Sequence, residues 1–413
     1  MATFDGTLPA TSTEWVEKSA GAFALSPGTI PSLKHFPIDP PDRRPLSVPS
    51  GMSGKALRSN MKIAHVAPLY ESVPPQLYGG TERIISYLTE ALVASGHEVT
   101  LFASGDSRTS ASLAAGRDMA LRLDPRPHKS EIAAHLAMLD EVRRRADEFD
   151  IIHFHLSHFL HFPFFEDMAG RTVTTPHGRL DYVDLAAAYR RFPRFPMISI
   201  SRSQRAQLPE ANWIATIPHG LPTDLYEPDF EAGADGTYLA FLGRLSRDKR
   251  PDRAIEIACR AGLRLKLAAK IGDDDRSYFR EAIEPLIDGD RIDYVGEIDE
   301  AEKAAFLGNA AGLVFPIDWP EPFGLVVIEA MAFGTPVLAW NCGAMPEIVD
   351  PGVTGFLAES IEDAVASVPD LLALDRRRVR RTFEARFSAT RMARDYLAAY
   401  ARLLGAGTEV EAS

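Results

Sequence analysis

From Met61 onward the chain alternates short apolar runs with stretches of helical spacing, and this alternation restricts the fold more than any other feature. In the first half the runs are Lys62–Ala67, Glu98–Ala103, Asp150–His155, Thr172–Thr175, Met197–Ser201 and Trp213–Ile217. Between the first two lies "TERIISYLTEALVASGH", where Ile84, Ile85, Leu88, Leu92 and Val93 recur at helical spacing before Gly96 stops the helix. Apolar strands joined by helices build parallel sheets with crossover connections. The second half repeats the rhythm at Tyr238–Leu242, Arg264–Ala268, Asp293–Val295, Leu313–Phe315, Pro336–Ala339 and Gly355–Leu357, with helices in "DRAIEIACRAG" and "EAEKAAFLGNA". The expected class is therefore α/β, with two doubly wound, Rossmann-like domains. Their ligand site belongs outside the carboxyl ends of the strands, in the cleft between the two sheets.

A chain of 413 residues is too long for one comfortable core, which agrees with two domains. The boundary is placed in "IPHGLPTDLYEPDFEAGADG", where proline, glycine and acids cluster. The division is 1–60, a proline-rich extension read as disordered; 61–220, the first domain; 221–388, the second; 389–405, a C-terminal helix; and 406–413, a tail. "MKIAHVAP" at Met61 resembles a natural start, so the extension is expected to be dispensable. A net charge of −12 argues against a nucleic-acid binder. No run reaches the ~18 apolar residues of a membrane span, and no secretory signal is read at the N-terminus. Cys259 and Cys342 lack metal-ligand spacing and have apolar neighbours, so buried free thiols in a reducing, cytoplasmic setting are expected.

The most informative stretch is "PEPFGLVVIEAMAFGTPVLAWNCGAMPEIV". Pro320 and Pro322 stiffen a loop, and Gly324 allows close backbone approach before a helix that runs to Gly334. A helix N-terminus favours phosphate or sugar hydroxyls. Glu321 precedes this helix and Glu329 lies within it, a spacing that can turn both carboxylates to one cleft. A second signal is "FLGRLSRDKRPDRAIEIA", in which Arg244 and Lys249 follow a strand and Gly243. Two fixed cations there suit a diphosphate. Arg247, Arg250 and Arg253 are read as solvated neighbours. In "LYGGTERII", Gly79 and Gly80 precede the first crossover helix, and the dinucleotide fingerprint G-x-G-x-x-G is absent. "TTPHGRL" puts His177 at a strand end.

"EPFGLVVIE" resembles the E-x7-E motif of the family-4 retaining glycosyltransferases of GT-B fold, and "GTPVLAWNCGAMPEIVDPGVTGFLAE" is similar to the segment that follows it there. The resemblance extends from Lys62 to about Leu404. It implies a donor site of Gly80, Arg244, Lys249, Glu321, Phe323, Gly324, Leu325 and Glu329, with Glu321, His177, Arg244 and Lys249 at the reacting centre. Arg244 and Lys249 would grip the diphosphate, Glu321 the sugar hydroxyls and Glu329 the ribose; His177 would lie beside the donor sugar. It further implies a nucleotide-sugar donor of the UDP-glucose type, a sugar or lipid-linked acceptor, no cofactor, no metal, and a C-terminal helix crossing back to the first domain. His219 stands where the family more often has asparagine, and "YVGEI" at 294–298 is placed near the base.

The cluster "HFHLSHFLH", holding His153, His155, His158 and His161, is read as strand-end and loop residues towards the acceptor rather than as a metal site. "RRRVRR" at 376–381 is read as a solvated helix face, and "YRRFPRFP" at 189–196 as an exposed loop rather than a membrane contact. The competing readings are an epimerase or phosphorylase on the same fold, a dinucleotide oxidoreductase, and a non-catalytic sugar-nucleotide-binding protein.

Overall fold

The computed structural model describes residues 60–76, 79–156, 159–230 and 238–410, with side chains to residue 405. The 1–59 extension, His158 and the 231–237 part of the boundary segment lie outside the described residues.

Seven parallel strands form the first sheet: β1 (Lys62–Val66), β2 (Glu98–Ser104), β3 (Ser112–Arg117), β4 (Ile151–Phe154), β5 (Thr172–Thr174), β6 (Pro196–Ser199) and β7 (Asn212–Thr216). Their order is β3-β2-β1-β4-β5-β6-β7. Six parallel strands form the second: β8 (Tyr238–Arg244), β9 (Arg264–Lys270), β10 (Ile292–Gly296), β11 (Gly312–Phe315), β12 (Val337–Trp340) and β13 (Gly355–Ala358), ordered β10-β9-β8-β11-β12-β13. Two doubly wound sheets follow, as expected from the alternation. The central strands are buried on both faces, so β1, β4, β11 and β12 read as continuous apolar runs. The strand order reverses between β1 and β4 in one sheet and between β8 and β11 in the other. The carboxyl ends of those four strands therefore border crevices.

The sequence reading missed β3. Its six residues, SLAAGR, sit at the sheet edge with no fully buried position, so no apolar pattern marks them.

Seven helices carry the argument below: α1 (Gly80–Ala94), α2 (Glu131–Arg144), α3 (Pro251–Ala261), α4 (Glu300–Gly308), α5 (Leu325–Ala332), α6 (Arg376–Phe387) and α7 (Ala389–Val410). The chain passes between the halves twice, and the two passages lie side by side. Leu221 N–H donates to Phe387 O and Ala389 N–H donates to Leu221 O, each at 2.8 Å. After the second passage α7 packs against α1. Tyr396 and Tyr400 of α7 are fully buried and hydrogen bond to Thr175 (3.1 Å) and His153 (2.7 Å) of the first half. No helix among the described residues is long and apolar enough to cross a membrane.

Two expectations are corrected here. Cys259 is exposed, because the buried face of α3 is made by Ala254, Ile255, Ile257 and Ala258. Cys342 is only half-buried, its thiol donating to Trp319 O at 3.2 Å. The basic run of α6 is not uniformly solvated either. Arg376 donates to the carbonyls of Ala310 and Gly308 (2.7 Å each), and Arg380 to that of Ala332 (2.5 Å). These arginines satisfy acceptors left open at the ends of α4 and α5. The run 189–196 does not form one exposed loop: Leu185–Arg191 is helical, Tyr189 and Phe195 are buried, and Arg190, Arg191 and Arg194 remain exposed.

Candidate active site

The loop between β8 and α3 is shaped by arginines that the sequence reading took for solvated. Arg250 forks onto Asp252 (2.7 Å) and reaches Asp318 (2.9 Å) beyond β11. Arg253 donates to Pro316 O and Asp318, both at 3.3 Å, and its guanidinium lies 4.5 Å from the Trp340 ring centroid. These bonds clamp the β8–α3 loop onto the loop that follows β11. Lys249 is thereby carried to Glu321, and its ammonium donates to the Glu321 carboxylate. The same ammonium lies 4.8 Å from the Trp319 ring centroid and 5.7 Å from that of Phe315. Arg244 is less committed: it is 43% exposed, with Asp248 at 3.7 Å and Asp275 at 3.9 Å.

Glu321 is fixed through its backbone. Its carbonyl accepts from Ala344 N–H at 3.0 Å. Gly343 has φ +60, and a Cβ there would fall 2.4 Å from Glu321 N, so glycine is required by both conformation and space. Gly324, at φ +90, then turns the chain into α5, whose N-terminus no side chain caps. One turn along α5, buried Glu329 accepts from Lys303 at 2.8 Å. Lys303 also reaches Glu300 (3.2 Å), and Glu300 meets Arg83 of α1 (2.5 Å) and the hydroxyl of Tyr226. An ion-pair chain thus links α1 of the first sheet to α4 and α5 of the second.

The space between the sheets has two lobes. The first, of about 230 Å³, is lined by five basic side chains (Arg83, Arg244, Lys249, Lys270, Lys303) and three carboxylates (Glu297, Glu321, Glu329). A locally cationic lobe in a chain of net charge −12 suits an anionic ligand. Glu297 and Ile298, from the segment expected near a base, line it too. The second lobe, of about 440 Å³, is lined by Tyr70, Glu82, Arg122, His177, His219 and Phe323 among others. Gly79, Gly80, Glu321, Gly324 and Leu325 border both lobes. A Cβ on Gly80 would lie 3.2 Å from the Leu325 side chain, so α1 and α5 nearly touch at this wall. Of the expected donor residues, Gly80, Arg244, Lys249, Glu321, Gly324, Leu325 and Glu329 border the first lobe. Phe323 and His177 border the second. Phe323 is turned there by its edge contact with His219, ring centroids 4.8 Å apart.

Two family models abut within this architecture. "Glycosyltransferase Family 4" matches residues 78–225 and "Glycosyl transferases group 1" matches residues 225–386. Both halves of the chain thus match glycosyltransferase models, and the chain has the GT-B fold. An uncharacterized glycosyltransferase of Methanocaldococcus jannaschii is 24% identical over 341 residues, 72% of this chain and 84% of that one. The D-inositol 3-phosphate glycosyltransferase of Mycobacterium tuberculosis is 31% identical over 196 residues, covering 43% of this chain and 40% of that protein. Most of these curated relatives are thus matched over about two fifths of their length or less. Among solved structures, AviGT4, a glycosyltransferase involved in avilamycin A biosynthesis, superposes with a TM-score of 0.64 at 24% identity, over 84% of this chain and 98% of that one. Anabaena HepE in complex with UDP and glucose gives 0.62 at 18% identity, over 81% and 98%.

In this GT-B chain four buried histidines and half-buried His177 form a row. His155 Nδ1 and His177 Nε2 are 3.0 Å apart, and His177 stacks on His219. His65 and His153 continue the row inward. Burial lowers the imidazole pKa values of His65 and His177 to about 3, and those of His153, His155 and His219 well below the usual value, so all five are neutral. Nitrogens of His65, His153 and His155 approach within 4.8 Å of one another, but His153 spends both ring nitrogens on Tyr400 and Thr175. His153 and His161 are therefore core residues and do not border the second lobe; His161 bonds Thr174 Oγ1 at 2.8 Å. Arg83, Lys303 and Glu300 were missed. Each sits on an ordinary amphipathic helix, and nothing in its own neighbourhood distinguishes it from a surface charge.

Proposed function

We propose that the chain is a retaining hexosyltransferase of the family-4 kind. It takes a hexosyl group from a nucleotide diphosphate sugar, of the UDP-glucose type, and delivers it to a hydroxyl of a carbohydrate or other acceptor, without a metal or cofactor. The observation that carries this reading is the cationic first lobe, lined by the Lys249–Glu321 pair, of which Glu321 also borders the second. Lys249, Arg244 and the uncapped start of α5 supply the positive charge that a departing diphosphate needs. Glu321 holds sugar hydroxyls once Lys249 turns to phosphate, and Glu329 takes the ribose. The bond from the anomeric carbon to the phosphate oxygen breaks, and the acceptor oxygen bonds to the same face of that carbon. The acceptor proton leaves with the diphosphate. The complex of HepE with UDP and glucose is consistent with a uridine donor. A cytoplasmic location fits two cysteines held as free thiols.

The test is a thermal-shift series with UDP, GDP, ADP and their common sugars in chelator, followed by NMR of the product's anomeric configuration. One nucleotide should raise Tm, and the product should keep the donor's configuration. An inverted product, or activity restored only by a divalent cation, would overturn the mechanism.

A further inference from the structure

The second lobe carries groups for which donor chemistry has no use. Glu82, in the first turn of α1, is 5% exposed and borders the lobe. Its carboxyl accepts from its own backbone N–H, and among the described residues no side chain donates a hydrogen bond or ion pair to it. Arg122, which borders the same lobe, is engaged by Glu71 at 3.2 Å. Beside Glu82 stand His177 and His219, whose Nδ1 atoms are buried and have no hydrogen-bond partner among the described residues. Tyr70 and Phe323 supply aromatic surface. Two unsatisfied imidazole nitrogens beside a buried carboxyl with spare acceptor capacity are costly unless a ligand completes their hydrogen bonds.

We propose that the second lobe holds the sugar acceptor through Glu82, and that it selects an uncharged, hydroxyl-rich acceptor, a neutral hexose or cyclitol, over a phosphorylated one. The proposal rests on the reading of the first lobe as the donor site. A carboxyl group and neutral imidazoles match vicinal hydroxyls, which can both donate and accept, while the aromatic rings cover the C–H faces of a sugar. A phosphate would bring a charge of about −1.5 to −2. It would meet the buried Glu82 carboxyl, while Arg122, the basic side chain that borders the lobe, is already paired to Glu71. The desolvation that raises the Glu82 pKa to about 7 describes the same environment: a poor place for added negative charge. Glu82 is a positioning residue here, acting on acceptor hydroxyls away from the bond that breaks.

The experiment uses the full chain with UDP-glucose, GDP-mannose and ADP-glucose as donor probes. Acceptor probes are glucose, N-acetylglucosamine and myo-inositol against glucose 6-phosphate and inositol 3-phosphate. Nucleotide binding is read by calorimetry, acceptor binding to the nucleotide complex by saturation-transfer NMR, and turnover by nucleotide release. An uncharged probe should bind and be glycosylated at least tenfold better than its phosphorylated counterpart. Glu82→Ala should raise the acceptor KM at least tenfold with kcat changed less than threefold, and Glu82→Gln should recover part of that loss and narrow the discrimination against phosphate. A residue that merely capped α1 would lower Tm and leave this selectivity intact. A phosphorylated probe bound as well as the neutral one, an unchanged acceptor KM in Glu82→Ala, or nucleotide binding with no uncharged probe bound would each overturn the proposal while leaving the donor reading standing. Failure of every nucleotide to bind would overturn both.

Discussion

Replacing Lys249 by methionine separates what the Lys249–Glu321 pair does for the fold from what it does for transfer. The stem is kept and the ammonium removed, so the Glu321 carboxylate, whose side chain is only 15% exposed, is left without its partner. Breaking a fully buried pair costs about 3–5 kcal/mol, and partial exposure of both groups reduces this to about 2 kcal/mol. Unfolding entropy is about 2.1 cal/mol/K per residue, which over the compact unit Ala56–Ser413 makes that loss a drop in Tm of about 3 °C. The catalytic effect is larger. Removing one fixed positive donor from a developing oxyanion lowers kcat by about 10²–10³-fold. Lys249→Met should therefore be folded and nearly inactive. Glu321→Gln in the same chain should restore most of the lost stability, since no unpaired carboxylate remains, and none of the activity. The assays are a thermal melt and steady-state nucleotide release. If Lys249→Met keeps kcat within threefold, or if the double variant melts lower than the single one, the account of this pair is wrong.

Gly343→Ala should lower activity at least tenfold and stability by more than about 2 kcal/mol, because its Cβ would fall 2.4 Å from Glu321 N in a left-handed conformation; wild-type kinetics would show that Glu321 tolerates displacement. Tyr400→Phe leaves buried His153 Nδ1 without its 2.7 Å partner and should cost about 1–3 kcal/mol in a denaturant melt, with α7 the first element to gain amide exchange. For pH, the folded chain holds His65 and His177 neutral down to about pH 3, whereas the unfolded chain binds their protons below about pH 6.5. Stability from these groups is complete above pH 6.5 and is lost as pH falls through that window, by up to about 1.4 kcal/mol per pH unit for each histidine. Glu82 works in the opposite direction, since its raised pKa of about 7 makes stability fall as pH rises from about 4.5 to 7. Five neutral histidines outweigh one carboxyl, so denaturant midpoints should drop from pH 6.5 to 5; a flat profile would contradict the neutral row.

The alternation of strand and helix was legible in the sequence because buried parallel strands must be apolar throughout, and crossover helices must present one apolar stripe. Glu321, Lys249, Arg244 and Glu329 were legible because each lies in a local pattern of glycine, proline and charge at a strand or helix end. That Lys249 would meet Glu321, 72 positions away, was not, since pairing depends on how the β8–α3 loop is drawn to Asp318. The same holds for Arg83, Lys303 and Glu82, which look like ordinary charges on amphipathic helices until α1 is packed beside α5. Arg376 and Arg380 show the limit most directly. Periodicity tells which face of a helix is apolar, and it says nothing about which carbonyls of other helices will need a donor. Sequence determined the two sheets and the chemistry of the strand ends, because those follow from local burial and local backbone geometry. Only the tertiary structure decided the two lobes, the histidine row and the ion-pair chain between the halves, because each joins residues whose separation along the chain carries no information about their distance in space.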